Sequence, residues 1–269
     1  MKIVRTRDES GCIVYLSQVS EKEGYQIEGD IFGSHEIGSK LMPIRQHLAP
    51  ISPSVLIGIA QNYRGHAMEM GGDIPERPVF FIKLPGTLQD PGKPIVLPRH
   101  LRSDKVDFES ELAVVIGKTC RNVSESEALD YVLGYTAAND VSARDWQKEW
   151  GGGQFCRGKG FDTFCPLGPV LVTPDEIPDP GKLSIKGYLN GEEMQNGHTS
   201  DLIFSVPQLI AFLSGSTTLP AGTVILTGTP SGVGAARKPP TFLKEGDSYT
   251  VEIEKIGKLT NPVRAESRD

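Results

Sequence analysis

Apolar positions along the chain come in short runs broken by glycine, proline and polar turns, not in long helical stripes. Residues 55–59, 79–83, 107–116, 170–173, 183–189, 223–227 and 248–256 read as strands. Shorter strands are expected at Ile3-Val4, at Ile13-Val14-Tyr15 and at 24–30. Asn190-Gly191 predicts a hairpin turn, because both residues tolerate positive φ. Gly246 followed by Asp247 begins another turn. Two helices are expected. Ser124-x-x-Glu127 has the form of a capping box, and Ala128, Leu129, Val132 and Leu133 follow at helical spacing. Residues 205–213 form the second, with Pro207 tolerable only near its start. The pattern predicts an α+β, β-rich body, mostly antiparallel, with few helices. Residues 1–52 read as a small N-terminal domain, and the prolines from Pro50 to Pro53 lead into a main domain over 53–269.

Composition narrows the function. A hydrophobic fraction of 38% and a charged fraction of 23% suit a folded globular chain. Net charge is −6 with no basic stripe, so nucleic acid is not an expected partner. No run approaches the roughly 20 apolar residues of a membrane span. The opening MKIVRTRDESGCIVYL has charges where a signal peptide needs a continuous apolar core, so a cytoplasmic protein is expected. Cys12, Cys120, Cys156 and Cys165 are scattered without a C-x-x-C pair, and buried free thiols are expected.

The segment with most chemical content is Val106-Asp-Phe-Glu-Ser-Glu-Leu-Ala-Val-Val-Ile-Gly117. On a strand, Asp107, Glu109 and Glu111 would share one face, about 7 Å apart. A wet surface strand could solvate them. They run, however, straight into an apolar stretch, and buried carboxylates need a cation or protons. Asp140 adds a further acid at the end of the apolar run 135–140. An all-oxygen set suits Mg²⁺, Mn²⁺ or Ca²⁺ and argues against zinc or copper.

His66 and Glu69 stand three apart and would share a face of a helical turn. A carboxylate beside an imidazole can orient it as a general base, although an ordinary surface pair has the same spacing. Lys159, in a glycine-flanked segment, could stabilise negative charge on a substrate oxygen or be merely exposed. Thr227-Gly-Thr-Pro-Ser-Gly-Val-Gly234 lacks both the P-loop ending and the dinucleotide spacing. Its amides and the Thr229 hydroxyl could hold a carboxylate. No G-x-S-x-G occurs, which argues against a serine hydrolase.

The order of these segments carries more than each alone. Asn-Tyr-x-x-His, Phe-x-Lys (81–83), Asp-x-Glu-x-Glu-Leu, Gly-Tyr-Thr-x-x-Asn-Asp-x-Ser-x-Arg-Asp-x-Gln, Gly-Lys-x-x-Asp-x-Phe-x-Pro-x-Gly-Pro, Asn-Gly-Glu and Thr-Gly-Thr-Pro-x-Gly-Val-Gly follow one another along residues 55–263. This series resembles the fumarylacetoacetate hydrolase family. The resemblance implies a mixed β-roll and a homodimer. It implies Mg²⁺ or Mn²⁺ held by Glu109, Glu111 and Asp140, with Asp107 outside the ligand set. It implies a water-activating dyad of His66 and Glu69, and Arg144, Gln147, Lys159 and Thr229 against a small 2-oxo acid. The stretch Trp150-Gly-Gly-Gly-Gln154 is less typical of the family. The expected reaction is hydrolysis of a C–C bond in a 2,4-dioxo acid such as an acylpyruvate or fumarylpyruvate-like compound. Oxaloacetate decarboxylation, isomerisation of a 2-hydroxy-diene-dioate and a non-catalytic binding role stay open, because one enolate platform serves several reactions.

Overall fold

The computed structural model describes residues 1–267. Strands β1 (Lys2–Arg7), β2 (Ile13–Gln18), β3 (Glu23–Gly29) and β4 (His35–Pro43) form an antiparallel meander. β5 (Val55–Ala60), α1 (Arg64–Glu69) and β6 (Val79–Lys83) follow. Next come β7 (Leu88–Gln89), β8 (Ile95–Leu97), β9 (Val106–Asp107), β10 (Ser110–Ile116), β11 (Val132–Asn139) and β12 (Ser142–Ala143). The short helix α2 (Phe155–Lys159) precedes β13 (Cys165–Val172) and the hairpin of β14 (Ser184–Leu189) and β15 (Glu192–His198). Helix α3 (Val206–Ser214) and strands β16 (Thr223–Leu226), β17 (Ser248–Ile253) and β18 (Gly257–Ala265) complete the chain.

Most strands belong to two sheets. The larger runs β4-β3-β2-β1-β13-β11-β10-β16-β5-β6, with β7 beside β13. The smaller runs β15-β14-β17-β18-β8, and β9 pairs with β12 as a separate ribbon. Both larger sheets are mixed, since β16–β5, β13–β7 and β18–β8 are parallel. The protein is thus α+β and β-rich, as its apolar pattern implies. β1 pairs with β13, so the N-terminal meander extends the large sheet.

β10 shows why its sequence is a continuous apolar run. Leu112, Val114 and Ile116 enter one core, which also holds Ile185, Val251 and Ile253 of the smaller sheet. Ala113 and Val115 enter a second core with Ile3, Ile51 and Leu56. A strand covered on both faces has no polar side to show. Cutting Leu112 back to alanine would cost about 2–5 kcal/mol by the usual cavity cost.

The Asn190-Gly191 turn is present, with φ of 52° and 86° and Leu189 paired with Glu192. α3 begins as expected, with Ser205 and Gln208 closing a reciprocal capping box. The helix expected after Ser124 is corrected. Only a 3₁₀ turn, Ala128–Tyr131, forms, and Val132 and Leu133 open β11. The Ser124 amide and hydroxyl do donate to Glu127, but pairing with β10 and β13 claims the apolar residues that follow. The thiols divide: Cys120 and Cys165 are buried as expected, whereas Cys12 and Cys156 are exposed. Among the described residues, no helix is long and apolar enough to cross a membrane.

Candidate active site

The site is assembled where β10 meets β11. The chain breaks strand geometry between β9 and β10, so Asp107, Glu109 and Glu111 do not line one regular face. All three are buried, which excludes the wet-face reading. Ser110 pairs with Asn139, and the Asp140 amide donates to the Glu109 carbonyl at 2.9 Å. That register sets Asp140 beside the two glutamates. Carboxylate oxygens of Glu109, Glu111 and Asp140 all lie within 4.8 Å of one another.

Asp107 is spent elsewhere. It accepts from Arg144 Nε at 2.8 Å and from the amides of Phe108, Gly234 and Ala235. It is a support for Arg144 and the loop at 234–235, in keeping with its place outside the expected ligand set.

Three buried cations answer the acids. Lys83 Nζ donates to Asp140 Oδ1 at 2.6 Å. Lys159 Nζ donates to Glu109 Oε2 and Ser142 Oγ, at 2.7 and 2.8 Å, and also to Asp140 Oδ2. Arg144 donates to Glu109 Oε1 at 2.7 Å and to Gln147 Oε1 at 3.0 Å. Burial opposes the charge of Glu109, but Lys159, Arg144 and His66 outweigh it and hold that carboxyl below its usual range. Glu111 is the opposite case. Burial, then the charges of Asp140 and Glu109, push it well above the usual range, against weaker help from Lys159 and the Gly228 amide.

That amide donates to Glu111 Oε2 at 2.6 Å from a glycine at φ +102°. A Cβ at Gly228 would come within 2.9 Å of Asn62 Cβ, so only glycine lets the turn approach so closely. Fully ionised, the cluster would hold more negative charge than its lysines and arginine neutralise, and Glu111 is the acid that retains a proton. A divalent ion among Glu109, Glu111 and Asp140 would relieve that excess, and an all-oxygen set fits a hard cation. The acidic triad can hold a divalent metal.

α1 brings the histidine. Asn62 ties its start to the end of β16, donating to the Thr227 and Phe204 carbonyls and accepting from the Phe204 amide. The Gly65 amide donates to Asp201 Oδ2 at 3.0 Å. His66 is buried, and its Nδ1–H donates to Glu69 Oε1 at 2.7 Å. Glu69 Oε2 accepts from the Gly232 amide. With Nδ1 so engaged, Nε2 is the nitrogen left to carry a proton.

One pocket of about 330 Å³ is lined by His66, Glu109, Glu111, Arg144, Gln147, Lys159 and Thr229 together. Every residue singled out from the sequence lies in this pocket or directly against it. Thr229 is already engaged: its hydroxyl donates to the Ser110 carbonyl and accepts from Gln195 Nε2. Lys83 stands in the sequence reading only as the end of the Phe-x-Lys motif, with no role given to it, and Gln195 was not singled out. Lys83 shares the buried face of β6 with Phe81, but Phe80 and Ile82 are as apolar on the other face, so the sequence does not tell which side is inward. Gln195 is buried and also accepts from the Ser110 amide and the Tyr249 hydroxyl, fastening the two sheets behind the site. Gly58 permits a further contact: a Cβ there would lie 2.2 Å from Phe81 Cζ, and Phe81 lines the pocket.

The model of the fumarylacetoacetate hydrolase C-terminal domain matches residues 55–264. The chain belongs to the fumarylacetoacetate hydrolase family. A mitochondrial oxaloacetate tautomerase of Xenopus laevis is 49% identical to this family member over 217 residues, 80% of this chain and 67% of that protein. A 5-carboxymethyl-2-hydroxymuconate delta-isomerase of Mycobacterium smegmatis has 36% identity and a TM-score of 0.86, covering 99% of this chain and 100% of that one. A fumarylacetoacetate hydrolase of Exiguobacterium antarcticum has 35% identity and a TM-score of 0.87 at the same coverage. These relatives of the family member carry the names of enzymes.

Proposed function

We propose that the protein moves a proton on a small 2-oxo acid, interconverting its keto and enol forms, with oxaloacetate as the first substrate to try. The observation that carries this reading is the joint placement of the acidic triad and the His66–Glu69 pair on one pocket. Glu109, Glu111 and Asp140 would hold Mg²⁺ or Mn²⁺. Bound there, the ion would supply Lewis acidity that polarises a 2-oxo acid and acidifies its adjacent carbon. His66 Nε2 takes the proton from that carbon and returns it to oxygen or carbon, while Glu69 fixes the tautomer. Lys159 and Arg144 hold the triad in place and add positive charge beside the developing enolate. Gln147 and Thr229 would orient the substrate.

The names of the relatives favour proton transfer over the hydrolysis expected from the sequence. The Xenopus protein is a tautomerase and the Mycobacterium protein an isomerase. Hydrolysis is the second reading, favoured by the Exiguobacterium structure. In that case the same histidine would activate water. We also propose residues 1–52 as an appended domain, supported by the family match beginning at residue 55, and a cytoplasmic homodimer.

The test follows the enol absorbance of oxaloacetate with Mg²⁺ or Mn²⁺ and after chelation. Pyruvate release from acetylpyruvate and from oxaloacetate is measured in parallel. Chelator-sensitive enol–keto conversion without pyruvate release supports the proposal. Pyruvate from acetylpyruvate alone replaces it with hydrolysis, and pyruvate from oxaloacetate above the spontaneous rate replaces it with decarboxylation.

A further inference from the structure

The charges around the pocket nearly balance, and the balance says something about the substrate. Four buried carboxylates, Asp107, Glu109, Glu111 and Asp140, face three buried cations, Lys83, Arg144 and Lys159. With all four carboxylates ionised, as metal binding requires, a divalent ion would turn this deficit into an excess of one positive charge. One substrate carboxylate cancels that excess. A second substrate carboxylate would need a cation of its own.

The buried cations cannot supply it without breaking existing pairs. Lys83 is bonded to Asp140, and Lys159 to Glu109, Asp140 and Ser142. Arg144 spends Nε, Nη1 and Nη2 on Asp107, Gln147 and Glu109. Lys148 differs from them. It lines the same pocket, and its ammonium makes no hydrogen bond or ion pair among the described residues. Burial of its stem and the nearby Arg144 guanidinium push its pKa down, and the charges of Asp107 and Glu109, both already paired with Arg144, only partly offset them.

Its base is fixed. Lys148 lies in the π-helical turn Asp145–Trp150, one residue after Gln147. Asp145 accepts from Ser103 Oγ at 2.7 Å and from the Asp104 amide at 2.9 Å. Trp146 Nε1 donates to the Arg102 carbonyl at 3.0 Å. The neighbouring Glu149 is paired with Lys105, not with Lys148.

We infer that Lys148 recognises a second carboxylate on the substrate, so that the pocket selects dicarboxylic over monocarboxylic 2-oxo acids. This inference rests on the 2-oxo acid reading above and names which members of that class fit. Lys148 would be a specificity residue for the carboxylate borne on the carbon that loses the proton, and it takes no part in moving that proton.

The test compares the wild type with Lys148→Met and Lys148→Arg, loaded with Mg²⁺. Both variants should fold, because the side chain is exposed. Calorimetric titration reads binding of oxaloacetate and of 2-oxobutanoate whether or not turnover occurs. The wild type should bind oxaloacetate more tightly than the monoacid. Lys148→Met should lose about tenfold in oxaloacetate affinity, as for one charge pair at a pocket rim, and retain its 2-oxobutanoate affinity. Lys148→Arg should keep the preference. In turnover the loss should fall on KM more than on kcat, the mark of binding shared by ground and transition states. Equal losses for both acids, no loss for either, or a wild type with no preference would overturn the inference. A preserved binding preference without enol–keto conversion would uphold it and sink the proposed reaction instead.

Discussion

Lys83 Nζ and Asp140 Oδ1 lie 2.6 Å apart, with both side chains essentially sealed from solvent. Neither charge can be left alone there. Removing one partner of a buried pair typically costs about 3–5 kcal/mol when the other is left uncompensated, and less here because Lys159 also donates to Asp140 Oδ2. Lys83→Met, which leaves Asp140 Oδ1 without its partner, should therefore lose about 1–3 kcal/mol of stability in urea unfolding of the metal-free protein. Saturating Mn²⁺ should recover part of the loss, since the ion replaces the ammonium as partner of Asp140. A variant as stable as the wild type, or one insensitive to Mn²⁺, would show that Lys159 alone compensates Asp140.

Glu111 sets a pH dependence for metal binding. Its folded pKa is raised by burial, Asp140 and Glu109, so the metal-free folded state keeps a proton that the unfolded chain gives up near the ordinary value of 4.5. The sign follows: this contribution to stability is full below that value and declines as pH rises towards the folded pKa. Glu109, whose pKa is depressed by Lys159, Arg144 and His66 despite its burial, contributes in the other window. Its share is present above the ordinary value and lost as pH falls. Mn²⁺ must displace the Glu111 proton, so affinity should rise with pH and binding should release a proton. Calorimetry in buffers of different ionisation enthalpy measures that release. Buffer-independent heats would contradict it.

Thiol reactivity should separate the cysteines. Burial pushes the Cys165 thiol up to about 12, and burial raises Cys120 as well. Only the thiolate is an effective nucleophile. Iodoacetamide at pH 8 should modify the exposed Cys12 and Cys156 in the native protein, and all four cysteines only after denaturation. Peptide mapping by mass spectrometry reads this directly. Rapid native labelling of Cys165 would mean that the strand behind the site opens.

A buried acid cluster was legible because carboxylates running into a buried strand demand compensation, whereas the choice of Glu109, Glu111 and Asp140 over Asp107 came from the family resemblance. The pairing of His66 with Glu69 was legible from their spacing; the burial that lifts it above a surface pair was not. Lys83 was hidden because a lone lysine at a strand end reads as solvated until the partner 57 residues away is known. Gln195 was hidden because its bonds run to Ser110, Thr229 and Tyr249, which only the packing of two sheets brings together. The failed helix at 128–133 shows a competing effect. Its apolar spacing suits a helix, but β11 takes Val132 and Leu133 into the sheet beside β10, which leaves Ala128 and Leu129 in the 3₁₀ turn.

The most direct measurement is the rate of oxaloacetate enol–keto conversion by His66→Ala beside the wild type, with Mn²⁺ binding determined on the same samples. The expected result is a fall of about 10²–10⁴-fold, the usual worth of a general acid–base group, with Mn²⁺ affinity retained. Undiminished conversion by His66→Ala, or wild-type conversion that survives removal of the metal, would contradict a proton transfer carried by this histidine over the Glu109–Glu111–Asp140 site.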